Sequence, residues 1–281
     1  EGAAVRSLVA LFGMAALGAC APLPEIPAGG GERIVSIDYC ADQMVLGMVD
    51  RSRIAAVSRD VASDPDFSLG LARAIPRVRP DVEAVLALRP TLVVRSYGGG
   101  PRFAEAMERA GVRVFTLPYA ASLADIDGTL AAAGTALGVQ QRAGQLRREL
   151  RAALADAEDA KGAGAPQHAL YVTPGDVTTG PGSLIADLLG AAGYASVERR
   201  PGWHRLPLEQ MAGARPDLVV RAFFESPAHR QDRWSSAGHR ALAEAVRDVP
   251  QVTVSGSELA CGNWRAGAAL RRIAAMRNAR Q

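Results

Sequence analysis

The chain has 281 residues, of which 48% are hydrophobic and 22% are charged, and its formal net charge at pH 7 is only +3. This length and apolar content suffice for one large or two medium-sized domains. Lys161 is the single lysine, and between Arg147 and Asp159 the arginines are mixed with acidic residues. A nucleic-acid-binding surface needs a clustered, unbalanced positive patch, so we expect no nucleic-acid partner.

The N-terminus has the features of an export signal. Leu8–Ala19 is an apolar run that is too short to span a bilayer but matches a signal-peptide core. Leu17–Cys20 resembles the lipobox of bacterial lipoproteins, which predicts a signal peptide over 1–19, lipidation of Cys20 and a Pro/Gly tether over 20–31. The alternative is ordinary cleavage after Ala21. Both interpretations predict a periplasmic protein, and we favour the one in which a lipid is its only membrane anchor.

The segment that follows alternates strands and helices. Apolar runs bounded by turn residues predict strands at 33–37, 53–57 and 111–117, with helices near 41–49, 101–110 and 122–137. The last of these begins with the capping box Ser122-x-x-Asp125. Next, Ala143, Leu146 and Leu150 start a three-four apolar spacing that predicts one long helix over 139–160, roughly 30 Å in length.

The remainder of the chain repeats the alternation. We expect a strand at 168–172, a helix at 184–192 after the turn Gly180–Ser183, a helix near 239–246, a strand at 251–254 and a final helix at 265–277.

One segment occurs twice. Val82–Arg95 reads VEAVLALRPTLVVR and Leu208–Arg221 reads LEQMAGARPDLVVR. Each copy predicts a short helix that ends near an Arg-Pro and a strand that is apolar on both faces. The copies lie too far apart for a solenoid. They indicate an α/β protein with two Rossmann-like lobes that contain parallel sheets, over 32–138 and 162–281. The long helix over 139–161 is long enough to run beside both lobes. A cleft between two lobes is a usual site for a small ligand.

From Glu32 onward the chain resembles the class III periplasmic substrate-binding proteins of ABC importers for ferric siderophores, cobalamin and haem. The segments that carry the resemblance are ERIVSIDYCADQMVLGMVD, IPRVRPDVEAVLALRPTLVV, GPGSLIADLLGAAG and LPLEQMAGARPDLVV. It implies two lobes on a rigid helix with little hinge motion, no intrinsic cofactor, a metal chelate as cargo, and an ABC permease dimer as partner of a monomeric binding protein.

In this family an acidic residue on each lobe docks against arginines of the permease. Glu83 and Glu209 occupy the matching positions in the two copies of the repeat. A pair of exposed charges at related sites would set register and association rate. The alternative interpretation is that each glutamate only stabilises the dipole of its own helix.

Residues for the ligand are expected after the strands. Arg95 and Arg221 end equivalent strands, whose carboxyl ends face the crevice, and could bind an anion in bidentate fashion or pair with a loop acid. Aromatic residues occur in the same predicted loops: Tyr39, Tyr97, Phe223, Phe224, Trp234 and Trp264. We expect a large chelate, a ferric siderophore first and cobalamin close behind. It would lie between Tyr39, Tyr97 and Arg95 on one lobe and Phe224, Trp264 and Arg221 on the other.

Two cysteines remain besides Cys20. Cys40 follows the first strand and Cys261 precedes the last helix, so both would border the cleft from opposite lobes. Three states stay open: a disulfide across the cleft, a pair of thiolates that bind ligand or metal, and two unpaired buried thiols. No histidine precedes His168, which disfavours a bare zinc ion, and His204 is the histidine that we expect nearest to a ligand.

Several functions are consistent with this fold. A binding protein for a siderophore or cobalamin is the first, a haem-binding protein of the same family is the next, and a two-lobed enzyme or a sensory lipoprotein are the others. The sequence lacks a G-x-S-x-G elbow, an H-E-x-x-H motif and a P-loop, so we expect no enzyme.

Overall fold

The computed structural model describes residues 31–161, 165–174, 177–206, 216–223 and 246–278. Residues 32–281 belong to one compact unit. Within its described part lie two parallel sheets, each flanked by helices, and this confirms the predicted α/β class with two lobes. No helix among the described residues is long and apolar enough to cross a membrane. The predicted signal peptide, Cys20 and the tether lie outside the described residues.

The first lobe contains a five-stranded parallel sheet in the order β3-β2-β1-β4-β5. Its central strands are buried on both faces because helices cover both sides, as a doubly wound sheet requires. The strands are β1 Ile34–Ser36, β2 Ile54–Ser58, β3 Arg77–Val78, β4 Leu92–Arg95 and β5 Arg113–Thr116. The helices are α1 Tyr39–Met48, α2 Ser68–Leu71, α3 Val82–Ala87, α4 Phe103–Arg109 and α5 Leu123–Ala136, with 3-10 turns at Arg51–Arg53 and Arg59–Ser63.

The second lobe contains a four-stranded parallel sheet in the order β11-β10-β6-β8 and a two-stranded antiparallel pair, β7 with β9. The strands are β6 Gln167–Val172, β7 Val177–Thr179, β8 Tyr194–Ser196, β9 Trp203–Arg205, β10 Leu218–Ala222 and β11 Gln251–Val254. The described helices are α7 Leu184–Ala191, α8 Gly256–Leu259 and α9 Ala266–Asn278. The sequence had not indicated the short strands β3, β7, β8 and β9, and the helix predicted near 239–246 falls almost wholly outside the described residues.

The predicted long helix is present as α6, Gln140–Lys161. Its buried stripe is the one that the spacing predicted: Ala143, Leu146, Leu150, Ala153 and Ala157. Helix α5 of the first lobe packs on one side of this stripe and α9 of the second lobe packs on another. Each lobe therefore buries apolar surface on the same 22-residue helix.

The lobes also meet beside α1, at a contact with residues 257–265 of the second lobe that we call the lobe joint. Gln43 on α1 lies at its centre. The Gln43 side chain donates to the carbonyl of Ser257 at 3.1 Å and accepts from Asn263 at 2.6 Å. Both side chains are buried, so separating the lobes would leave polar groups without partners unless water entered.

Aromatic and charged contacts extend the lobe joint. Trp264 packs edge-on against Phe67 with ring centroids 6.1 Å apart, and it lies directly over Gly47. The guanidinium of Arg265 lies 4.4 Å from the centre of the Phe67 ring and 3.5 Å from the buried carboxylate of Asp64. Trp264, which we had expected at the ligand, is therefore positioned as an interlobe packing residue.

The lobe joint predicts opposite effects for two glycine substitutions. A β-carbon on Gly47 would overlap the indole of Trp264, whereas one on Gly128, in the exposed middle of α5, would meet nothing within 4 Å. Gly128→Ala should stabilise the protein by up to about 1 kcal/mol through helix propensity. Gly47→Ala should destabilise it by about 1–2 kcal/mol because overpacking outweighs the same gain. Urea unfolding of both variants measures this, and equal stabilisation by the two would contradict the described packing.

Candidate functional site

The loop after β1 is fixed by one buried carboxylate. Asp38 accepts a hydrogen bond from the amide of Ala41 at 3.0 Å and thereby caps helix α1. Its second oxygen accepts the amides of Ser96, Tyr97 and Gly98 at 2.6, 3.1 and 2.9 Å. The loops after β1 and β4 are thus held together at the point where the strand order reverses, which is where doubly wound sheets bind ligands.

A cavity of about 210 Å³ lies next to these loops, between the lobes. Sites for small ligands usually measure about 300–1,000 Å³, so we interpret this cavity as the floor of a site that continues into its mouth. The described residues that line it carry no charged side chain. From the first lobe they are Cys40, Met44, Ser96, Leu117, Pro118, Tyr119, Ala120 and Thr129; from the second they are Leu184, Ile185, Trp203, Leu259, Ala260, Cys261 and Gly262.

Exposed aromatic rings surround the mouth of the cavity. Tyr119 is 74% exposed and Trp203 is 53% exposed, and they line the cavity from opposite lobes. Trp203 rests edge-on against the buried ring of Tyr171, with centroids 6.3 Å apart, so its orientation is supported from below. Tyr97, which the sequence indicated, is 59% exposed beside Ser96. Tyr119 was not indicated, although it follows strand β5 as Tyr97 follows β4.

The hydroxyl of Tyr97 is held in its neutral form. Partial burial raises the pKa of Tyr97, and the negative charges of Asp38 and Asp60 raise it further. A tyrosine hydroxyl is already uncharged at neutral pH, and the raised pKa keeps it uncharged at more alkaline pH as well.

Cys40 and Cys261 form a disulfide between the two lobes, with their α-carbons 5.2 Å apart. Of the three states that the sequence left open, this one is the state found, and neither sulfur is a free thiolate for a metal. Both cysteines line the cavity. Within the described part of the chain, no three His, Cys, Asp or Glu side chains are grouped so that they could hold a metal ion.

Arg95 is placed under the loop that follows its strand. It is 9% exposed, its Nη1 donates to the carbonyl of Gly100 at 3.0 Å, and its guanidinium lies 5.9 Å from the centre of the Phe103 ring. In this position Arg95 supports the glycine-rich loop and offers little of its guanidinium to a ligand.

The other ligand residues predicted from the sequence are distributed more widely. Tyr39 is half-buried as the first residue of α1. Arg221 is half-buried on β10, with its Nη1 3.4 Å from the side-chain oxygen of Gln251 on the neighbouring strand. Phe224 lies outside the described residues. Of the predicted ligand residues, the structure therefore brings Cys40 into the cavity lining, and Tyr97 follows the lining residue Ser96. It places Arg95 and Trp264 in supporting positions.

His204 faces away from its neighbour Trp203 along β9 and pairs with a buried acid. Its Nε2 lies 3.0 Å from the carboxylate of Glu198, which is 7% exposed. Burial alone would raise the pKa of Glu198, but hydrogen bonds from the Arg200 amide and from the His204 and Arg200 side chains outweigh it, so the pKa is lowered. We interpret the pair as a support for the strand that carries Trp203.

Comparison with known proteins identifies the family. The profile of the family described as periplasmic binding protein matches residues 34–232, which is well over half of the chain. The chain belongs to the periplasmic binding protein family. This confirms the resemblance to substrate-binding proteins of ABC importers, and no curated protein matches the chain.

Solved structures with the same fold include binding proteins for different chelates. A periplasmic heme-binding protein from Roseiflexus sp. RS-1, in its apo form, has a TM-score of 0.70 and 23% identity, with 90% of this chain and 100% of that chain covered. A periplasmic heme-binding protein from Pseudomonas aeruginosa has a TM-score of 0.68 and 24% identity, with 87% and 91% covered. The periplasmic vitamin B12 binding protein of Vibrio cholerae has a TM-score of 0.65 and 17% identity, with 88% and 97% covered. At these identities the comparison establishes the fold.

The predicted docking residue of the first lobe is available at the surface of this periplasmic binding protein. Glu83 is exposed in the first turn of α3, a helix capped by Asp81 through the amide of Ala84 at 2.8 Å. Glu209 lies outside the described residues.

A buried acid beneath the site is expected to make stability depend on pH. Asp42 on α1 accepts hydrogen bonds from the amide of Ser58 at 2.9 Å, from the Ser58 hydroxyl at 2.6 Å and from the Ser36 hydroxyl. Burial outweighs these bonds and raises the pKa of Asp42 from 3.8 to about 6. Protonation of Asp42 therefore favours the folded state. The stabilisation is fully present below the unfolded-state pKa and is lost as pH rises through the folded-state pKa of about 6.

Asp42→Asn tests this directly because asparagine can keep the same partners without titrating. We expect the free energy of unfolding of the wild type, measured relative to Asp42→Asn, to fall by about 2 kcal/mol between pH 4.5 and pH 7.5. Urea unfolding at a series of pH values measures the difference, in which the other titrating groups cancel. Parallel pH profiles for the two proteins would show that Asp42 does not titrate in this range.

Proposed function

We propose that this periplasmic binding protein captures a tetrapyrrole metal chelate, haem first and cobalamin second, and delivers it to an ABC permease. The observation that carries the proposal is the cavity between the lobes, whose described lining is uncharged, with Tyr119 and Trp203 exposed on opposite sides of its mouth. A broad, largely apolar ring gains most from such surfaces, because aromatic side chains bury large areas and stack with a preferred geometry.

The described lining of the cavity is uncharged and disfavours a ferric siderophore, the ligand that the sequence analysis placed first. An anionic siderophore carries its charge around the metal centre and would need charged donors at the cavity, whereas the two carboxylates of haem lie at one edge of the ring and can stay in solvent. Arg95, the first-lobe arginine expected there, is largely buried and bonded to Gly100, and the described lining offers no other charged group. These positions favour a tetrapyrrole over an anionic siderophore.

Proteins that share the fold are named for tetrapyrroles in some cases and for a siderophore class in another, so the fold does not select the ligand. Structures that share the fold are named as heme-binding proteins in Roseiflexus sp. RS-1 and Pseudomonas aeruginosa and as a vitamin B12 binding protein in Vibrio cholerae. Another, from Saccharomonospora viridis, is named for Fe3+-hydroxamate transport. The preference for a tetrapyrrole in this chain therefore rests on its own cavity.

Titration of hemin, cyanocobalamin and ferric enterobactin, an anionic siderophore complex, tests the ligand class. Tyr119→Ala and Trp203→Ala should each weaken hemin binding about tenfold, because each removes a stacking surface worth about 1–1.5 kcal/mol. Tyr119→Phe keeps the ring and should bind as the wild type does. Absorbance changes on titration report the affinities. Tighter binding of ferric enterobactin than of hemin, unchanged in Tyr119→Ala, would contradict the proposal.

Delivery to the permease is assigned to the face that carries Glu83. An exposed carboxylate on a rim mainly sets association rate and register, so Glu83→Arg should lower uptake by the permease several-fold while ligand affinity stays unchanged. Uptake into vesicles that contain the permease provides the measurement.

A second charge reversal separates docking from general surface charge. Glu105→Arg alters another exposed glutamate, on α4 of the same lobe and paired with Arg109, and should leave uptake unchanged. If Glu83→Arg only lowers the free energy of unfolding, by about 0.3–1 kcal/mol as is typical of a charge at a helix N-terminus, and uptake is normal, then Glu83 stabilises its helix and does not dock.

A further inference from the structure

The disulfide Cys40–Cys261 is one end of a continuous line of contacts between the lobes. Cys40, Gln43 and Gly47 recur at three- and four-residue spacing, so they share one face of α1. Opposite them, the second lobe presents Cys261, the pair Asn263 and Ser257, and Trp264. The covalent bond lies at the cavity, and the lobe joint continues from it along the helix.

The disulfide and the lobe joint together form a second connection between the lobes, in addition to helix α6. Two bodies linked by one helix can still twist and bend about it. A second connection at the cavity removes most of that freedom, and a covalent bond there cannot open by thermal motion.

We propose that the Cys40–Cys261 disulfide is a clamp that fixes the width of the ligand cavity, so that the ligand-free protein already has the geometry of the bound state. A site that is already formed loses no affinity to the fraction of molecules in other conformations, and it immobilises fewer groups on binding. Disulfides persist in the oxidising periplasm, which is the compartment of this family.

One backbone amide reports whether the lobes separate, at a point that neither cysteine touches. The amide of Leu123, at the start of α5 in the first lobe, donates to the carboxylate of Asp187 on α7 of the second lobe at 2.8 Å. The first amides of a helix have no acceptor within the helix, so protection of Leu123 from hydrogen exchange depends on Asp187. The amide of Asp125, two residues later, bonds within its own lobe to the Ser122 hydroxyl at 3.1 Å and serves as an internal control.

Hydrogen exchange of ligand-free protein tests the clamp. In the double variant Cys40→Ser, Cys261→Ser, exchange at Leu123 should be at least about tenfold faster than in the wild type, because the lobes open more often, while exchange at Asp125 is unchanged. Wild type reduced with a phosphine provides the same comparison should the double variant not fold. Val85→Ala, in the separate core of the first lobe, lowers stability without touching the joint and should leave the ratio of the two rates unchanged.

Binding of hemin and cyanocobalamin provides the second measurement, and this arm rests on the proposed function. Whichever of the two the wild type binds should dissociate about tenfold faster from the double variant, and Val85→Ala should match the wild type. Equal exchange at Leu123 with and without the disulfide would overturn the clamp. If neither compound binds the wild type, the proposed function fails, and the exchange experiment still decides whether the clamp exists.

Discussion

The buried carboxylate of Asp38 holds the start of helix α1 against the loop that follows β4, using one oxygen for the helix cap and the other for three loop amides. These four hydrogen bonds set the direction of α1. Because the helix starts at the point where the strand order reverses, Cys40 in its first turn reaches the cavity. Further along, the same helix presents Gln43 and Gly47 to the second lobe. The position of the site and the relation of the two lobes thus depend on the same helix.

Among the residues that the structure describes, charged side chains lie around the cavity rather than in its lining. Asp38, Asp42 and Asp64 are buried near α1, and each accepts hydrogen bonds from neighbouring protein groups. Arg265 neutralises Asp64 at the lobe joint. No cation of the described segments pairs with Asp42, and its pKa is raised to about 6. Because the hydrogen-bonding capacity of these acids is taken up by protein groups, they are not available to a ligand. The floor of the cavity can therefore remain apolar although acids lie close beneath it.

Features that follow from periodicity could be predicted from the sequence. The stripe from Ala143 to Ala157 gave the bridging helix to within a residue or two, and the repeated LVVR gave β4 and β10. Features that depend on the distance between remote segments of the chain could not be predicted from the sequence. The pairing of Cys40 with Cys261 required their α-carbons to be close, and Trp264 lies in the joint because Gly47 leaves room for its ring.

The candidate site was predicted only in outline for the same reason. The rule that strands end at the crevice located Arg95 correctly along the chain, but its side chain turned under the loop to reach Gly100. Tyr119 could have been found by the rule that selected Tyr97, since both follow strands of one sheet. Trp203 lies on β9, a strand of three residues, which is too short to show an alternation of apolar and polar positions.

A crystal structure of the protein loaded with hemin tests the central claim most directly. The account predicts the porphyrin between Tyr119 and Trp203, above an intact Cys40–Cys261 disulfide, with the lobes related as they are without ligand. A porphyrin bound elsewhere, such as in the groove that Leu154 and Ala186 line between α5, α6 and α7, or lobes that have rotated to enclose it, would contradict the account.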